Sequence, residues 1–337
     1  MKKIGIGYED YRRMIDEDIY YIDKTMLIND VVEKGGMVTL FTRPRRFGKT
    51  LALSMLRTFF ELEYDREGNV VDKSRYFEGM RIMEAPKEIL SMMGKYPVIK
   101  LSLKSAKQPD FYEAGLKLRD EIIYELSRHS YLLDSKELSE AEKDYYNGLL
   151  KATDYSGLHT NEDYKREIGR YSTALKTLSE YLKKHHGMNV IILLDEYDVP
   201  LENAYYSGFY DEMVGFIRSL FESALKTNDA LERAVITGCL RISKESLFTG
   251  LNNLEINSIR DSGFEEGFGF TDSEVCMMLK DYGIEDRVPE ARNWYDGYTF
   301  GEKEIYNPWS ITKYVKSIII EKKIFFNIKL IIEIHFF

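Results

Sequence analysis

The chain has 337 residues, 44% of them hydrophobic and 31% charged, with 7 prolines and a formal net charge of −9. This length and composition fit a globular protein with one large α/β domain and a smaller one, and they exclude extended disorder. The acidic balance gives no support for nucleic acid or an anionic membrane as a bulk-charge partner, and the 2 cysteines, Cys239 and Cys276, build neither a disulfide framework nor a zinc site.

Residues 37–42 form a short apolar, β-rich run. A basic segment ending in glycine follows, and then helical apolar spacing from Leu51 to Phe60. Val98 to Leu103 is a second strand candidate, entered through Pro97. Residues 110–187 read as mostly helical, broken near Gly157 and Gly187. Val190 to Leu194 is apolar throughout, as a parallel strand covered on both faces should be, and it ends at Asp195-Glu196-Tyr197-Asp198. Residues 209–227 read as helix, Ala234 to Thr237 as a fourth strand, and Leu254 to Ile259 as a fifth. Alternating strands and helices predict a parallel sheet with right-handed crossovers.

From Phe270 the pattern changes. Thr271-Asp272-Ser273-Glu274 has the form of a capping box, Trp294 to Tyr298 reads as a turn or hairpin, and Tyr306-Asn307-Pro308-Trp309-Ser310 opens another helix. The expected organisation is a core over 1–261 with an N-terminal extension, a lid over 262–317 and an irregular tail over 318–337. No apolar run reaches the roughly 18 residues of a membrane span. The cysteine usage leads to the expectation of a reducing, cytoplasmic setting, and no apolar stretch of signal-peptide length follows Met1-Lys2-Lys3.

Residues 43–50, Arg-Pro-Arg-Arg-Phe-Gly-Lys-Thr, match the second half of the phosphate-loop pattern G-x-x-x-x-G-K-[ST]. A Gly-Lys-Ser/Thr tripeptide arises by chance in roughly one chain in six of this length. The strand-to-helix context is what gives it weight. The chemistry explains the residue types. Backbone N–H groups and a helix N-terminus face the phosphates, and Gly48 lets the backbone approach closely. Lys49 reaches the β- and γ-phosphates, and the Thr50 hydroxyl can ligate Mg²⁺. Phe47 and Leu51 belong to the same loop and helix start. Arg43 occupies the first-glycine position, which strains the turn unless Pro44 presets it. Arg43, Arg45 and Arg46 either neutralise phosphate or form a solvated basic face.

Ligands of parallel sheets sit at the carboxyl ends of strands. Asp195 leaves its strand there as a candidate Mg²⁺ ligand, and Glu196 is the candidate general base or water-positioning group. Asp198 is a further helper or a cap. Thr237, at the next strand end, fits a γ-phosphate sensor. Arg241 either contacts phosphate, in its own chain or across an interface, or makes a surface ion pair. His185 and His186, at a helix end, read as structural.

These segments together resemble the predicted AAA-ATPase-like family of bacterial proteins. The resemblance rests on Tyr20 to Thr25, Thr42 to Thr50, Leu193 to Asp198, Thr237 to Lys244, Gly250 to Asn253 and Tyr306 to Ser310, and spans about residues 4–315. The loop is also similar to the G-P-R-R-x-G-K-T form of archaeal-type ATPases, and an arginine at position 43 fits the family. The resemblance implies an additional-strand P-loop NTPase core with a small helical or winged-helix-like lid. It also implies that Tyr21, Asp23 and Lys24 lie near the base or the loop. Members often carry a PD-(D/E)xK nuclease-like domain, for which no acid and E-x-K arrangement follows residue 315. The expected function is Mg²⁺-dependent ATP hydrolysis coupled to a conformational change. The alternatives are a nucleotide-gated interaction switch with little hydrolysis, or the remnant of a nucleic-acid-processing ATPase-nuclease. ATP is the expected ligand, with a protein partner or self-association compatible with it and no membrane.

Overall fold

Strands whose side chains alternate between two covered faces build the centre of the molecule. In the computed structural model, which describes residues 1–240, 247–248, 252–295 and 297–320, five strands pair in parallel. They are β1 (Val38–Thr42), β2 (Val98–Ser102), β3 (Val190–Asp195), β4 (Leu231–Gly238) and β5 (Leu254–Asn257), in the order β2-β3-β4-β1-β5. Val190, Ile192 and Leu194 of β3 enter one buried cluster with Leu40 and Ile236. Ile191 and Leu193 enter a second cluster with Phe41 and Val235. Helices Phe111–Arg128, Ala174–His186 and Tyr210–Leu225 supply the first cluster, and Met26–Glu33 and Lys49–Phe60 the second. The α/β class and the flanked parallel sheet agree with the sequence. Arg241, Gly250, Leu251, Asp296 and residues 321–337, most of the expected tail, lie outside the described residues.

Beyond β5 the strands β6 (Phe270–Thr271), β7 (Tyr298–Phe300) and β8 (Lys303–Tyr306) form an antiparallel sheet in the order β6-β8-β7. Helices Asp272–Asp281 and Val288–Tyr295 and a helix over 308–320 accompany it. The Thr271–Glu274 capping box forms with both of its hydrogen bonds. This small unit has its own apolar cluster, including Val275, Leu279, Ile311 and Val315, and the N-terminal segment adds Ile22 to it.

Arg43, directly after β1, ties the sheet edge together. Its guanidinium donates to Asn257 Oδ1 at 2.5 Å and Asn257 O at 2.9 Å, at the end of β5, and to Thr42 O at 3.1 Å. The rings of Phe268 and Phe300 lie 5.3 and 5.2 Å away. Burial lowers its pKa to about 10, so it remains cationic at neutral pH. Removing one member of such a buried polar cluster leaves its partners unsatisfied. Arg43→Ala should therefore lose roughly 3 kcal/mol of unfolding free energy in a urea titration.

At the amino edge of the sheet, two helix ends bring together three histidines. His129 Nδ1 and His186 Nε2 both meet the Tyr131 hydroxyl, at 3.1 and 2.9 Å, and the rings of His185 and His186 are 4.6 Å apart. Burial, reinforced by His185 and His129, lowers the His186 pKa to about 4. Buried Glu125 is pushed up by desolvation, but the adjacent His129 and the hydrogen bonds from Arg128 outweigh this and bring it to about 2. Both folded-state values lie below the unfolded ones, so both groups stabilise the fold above the unfolded pKa and lose that contribution as pH falls. Stability should decline from about pH 6.5 downward as His186 is forced to charge. It should decline further below about 4.5, where Glu125 adds its share. Thermal melts across pH 7 to 4 check this; a flat profile between 7 and 5 would contradict it.

Candidate functional site

The chain leaves β1 at Thr42 and turns into helix Lys49–Phe60. The turn is made by left-handed backbone at Arg46 (φ 72°) and Gly48 (φ 81°). Arg43 is not left-handed, so the first motif position needs no glycine and carries no strain from its side chain. The strain sits at Arg46, where an L-residue in this region costs roughly 1 kcal/mol or more. Lys49 is only 6% exposed. Its ammonium donates to Arg43 O at 2.9 Å, Pro44 O at 3.0 Å and Cys239 Sγ at 3.2 Å.

Because β4 stands between β1 and β3, the phosphate-loop strand and the acidic strand end at one edge of the sheet with a single strand between them. Phe41 is level with Thr237 across β1 and β4, and Leu194 is level with Ile236 across β3 and β4. Thr237 Oγ1 donates to Asp195 Oδ1 at 2.5 Å. Glu196 is half-buried in left-handed backbone (φ 53°). Burial and the adjacent Asp195 raise its pKa, while Lys104 and Lys49 oppose the rise. Asp198 Oδ2 accepts from Cys239 N and Leu240 N, both at 2.8 Å. The Tyr197 hydroxyl donates to Leu240 O at 2.7 Å. The turn after β4 is thus held by the turn after β3.

A cavity of about 380 Å³ lies between the loop, the N-terminal segment and the small unit. Residues 45–51 and Glu196 line one wall. Residues 5–9, Tyr20, Tyr21 and Lys24 line another, and Gly269, Phe270, Pro308 and Trp309 a third. The loop wall brings the cations Arg45, Arg46 and Lys49, and the other walls bring Tyr20, Tyr21, Phe270 and Trp309. This arrangement suits an elongated ligand with an anionic end and a planar, apolar end.

Among the residues expected in the site, Arg45, Arg46, Phe47, Gly48, Lys49, Thr50, Leu51 and Glu196 share this cavity. Asp195 and Thr237 lie just behind it, bonded to each other. Arg43 does not line it, because its guanidinium is engaged with Asn257. Arg45 pairs with Glu202 at 3.0 Å. Phe47 is buried against Tyr298 and Phe300. The Thr50 hydroxyl has no hydrogen-bond partner among the described residues. Tyr21 and Lys24 face the cavity as the resemblance implied, whereas Asp23 holds Thr25 and the Arg81 N–H. Sequence reasoning missed Cys239, which touches Lys49, and the wall built by residues 5–9. Cys239 lies in the Thr237 to Lys244 segment without a role attached to it, and no motif marks residues 5–9; the packing of the folded chain brings both to the site.

A family model described as predicted AAA-ATPase matches residues 5–248. The chain is similar to an "uncharacterized protein in vnfD 5'region" of Azotobacter chroococcum mcd 1, with 27% identity over 314 residues, 92% of this chain and 51% of that protein. It thus spans about half the length of this relative. No solved structure matches the chain. No helix among the described residues is long and apolar enough to cross a membrane. With a match over well more than half of its length, on top of the loop and acidic strand ends at one sheet edge, the chain belongs to the predicted AAA-ATPase family.

Proposed function

We propose that the chain binds Mg²⁺·ATP in this cavity and hydrolyses it, with the small unit acting as a lid whose position responds to the bound nucleotide. One observation carries this reading: Lys49 and Glu196, from different strand ends, line the same cavity. The polyphosphate lies along residues 45–50, with the N-terminus of helix Lys49–Phe60 behind it. Lys49 exchanges its contacts to the Arg43 and Pro44 carbonyls for phosphate oxygens.

The donor chemistry fits magnesium. Thr50 offers a cavity-facing hydroxyl without another partner among the described residues, and Asp195 offers a carboxylate steadied by Thr237. Two protein oxygens completed by phosphates and water form a typical Mg²⁺ set. When bound, the ion neutralises charge on the β- and γ-phosphate oxygens. Glu196, held beside these groups in a strained backbone conformation, orients the attacking water and takes its proton. The gap between the Asp195 and Glu196 environments supports this division of roles: the first carboxylate is bound by a hydroxyl donor, and the second is half-buried with a raised pKa.

Lys49→Ala should weaken Mg²⁺·ATP binding by about tenfold or more in calorimetry, the scale of a lost charge-assisted hydrogen bond. Glu196→Gln should keep that affinity and lower phosphate release by roughly 10²–10⁴-fold. If parent and Glu196→Gln bind alike and neither turns over, the chain is a nucleotide-gated switch. Glu196 acts as a carboxylate, so activity is present above its raised pKa and lost as pH falls through it. The acid limb of kcat/KM, which reports the free protein, should therefore lie above the ordinary glutamate value of about 4.3 and vanish in Glu196→Gln.

A further inference from the structure

The loop carries three arginines, and the fold gives each a different environment. Arg43 is buried and engaged with Asn257. Arg45 is paired with Glu202. Arg46 is exposed on the cavity wall, and its side chain makes no hydrogen bond or ion pair among the described residues. Instead its guanidinium carbon lies 3.9 Å from the ring centroid of Trp309. The same indole carries Lys313 Nζ at 4.0 Å.

A stacked guanidinium gives one face to the ring and keeps its five in-plane N–H donors. Those donors are what a phosphate recognises, in bidentate geometry. The stack is itself well anchored. Trp309 stands at the start of the 308–320 helix, where Asn307 Oδ1 accepts from Trp309 N at 3.0 Å and Ser310 N at 3.2 Å. Asn307 Nδ2 reaches the Arg45 carbonyl at 3.4 Å. Phe47 O accepts from Gly269 N at 3.3 Å. Three successive loop residues thus each contact the small unit. Arg46 makes its contact from left-handed backbone (φ 72°).

Building on the nucleotide-binding reading, we propose that Arg46, alone of the three loop arginines, holds the outer phosphates. Trp309 is its positioning residue: it fixes the guanidinium plane at the cavity wall while leaving the donor edge free. Phosphate recognition is thereby shared between the loop and the small unit. The Tyr306-Asn307-Pro308-Trp309-Ser310 segment, which the sequence offers as a helix start and as part of the family resemblance, supplies the support.

The test uses the full chain and calorimetry with Mg²⁺·ATP, Mg²⁺·ADP and AMP. Arg46→Ala should weaken ATP binding about tenfold or more, the scale of charge-assisted hydrogen bonds, and leave AMP binding nearly unchanged. Arg45→Ala should have the smaller effect. Trp309→Ala should weaken ATP binding by about fivefold, the scale of an exposed cation–π contact, and Trp309→Phe should restore most of it. The chain has 2 tryptophans, and Trp294 is 71% exposed. A Trp294→Phe background therefore isolates Trp309 emission, which should respond to ATP but not to AMP, and should lose that response with Arg46→Ala. Unchanged ATP affinity in Arg46→Ala, or equal losses for ATP and AMP in Trp309→Ala, overturns the proposal. A parent chain that binds no nucleotide at all overturns the underlying reading as well.

Discussion

The site depends on a close approach at Gly238. A Cβ built there would sit 2.5 Å from the Tyr197 ring and 2.8 Å from Asp198 Oδ1, closer than real side chains pack. Without one, the turn after β3 lies directly on the turn after β4. Asp198 then takes two consecutive backbone N–H groups, Tyr197 caps a carbonyl, and Thr237 reaches Asp195. The Gly238 carbonyl also accepts the Arg43 N–H at 3.0 Å, which brings in the start of the phosphate loop. A single missing methyl group thus lets three strand ends converge. Convergence is what gives Lys49 and Glu196 a common cavity.

Arg43 shows why a motif can lose a residue without losing its loop. A phosphate loop needs left-handed backbone at certain positions, and here those are Arg46 and Gly48. Position 43 has ordinary backbone and is free to carry a side chain. A buried guanidinium is expensive unless its donors are bonded. Asn257 supplies two acceptors from the neighbouring strand and Thr42 a third. Pro44 was expected to relieve strain at the first motif position, but the strain lies three residues beyond that position, at Arg46.

Much of the core was legible because its signals are local. The apolar runs of β1, β2 and β3 appear within a residue or so of their sequence positions, and so does the Thr271–Glu274 cap. Helix Val199–Ser207 was not read. It begins with a proline at the second residue, is weakly amphipathic, and exposes Tyr205 and Tyr206 at its end. The loop, the acidic pair and Thr237 were readable from residue type and strand position. The cavity's other walls were not, because residues 5–9 and Trp309 reach it only through tertiary packing. Arg43 looked like a phosphate ligand because charge is visible in sequence and burial is not.

The contacts between loop and small unit set the energy scale on which a nucleotide would act. A cation–π contact at an exposed site contributes about 0.5–1 kcal/mol. A long amide-to-carbonyl hydrogen bond such as Asn307 to Arg45 contributes no more than that. The packing of Phe47 against Tyr298 and Phe300 is the firmest of the three. It anchors the loop to the small unit through an apolar plug that phosphate charge does not disturb. A ligand shifts an equilibrium only by its difference in affinity for the two states. Charge-assisted phosphate bonds, at about 1.5–3 kcal/mol each, exceed the polar contacts and leave the plug intact.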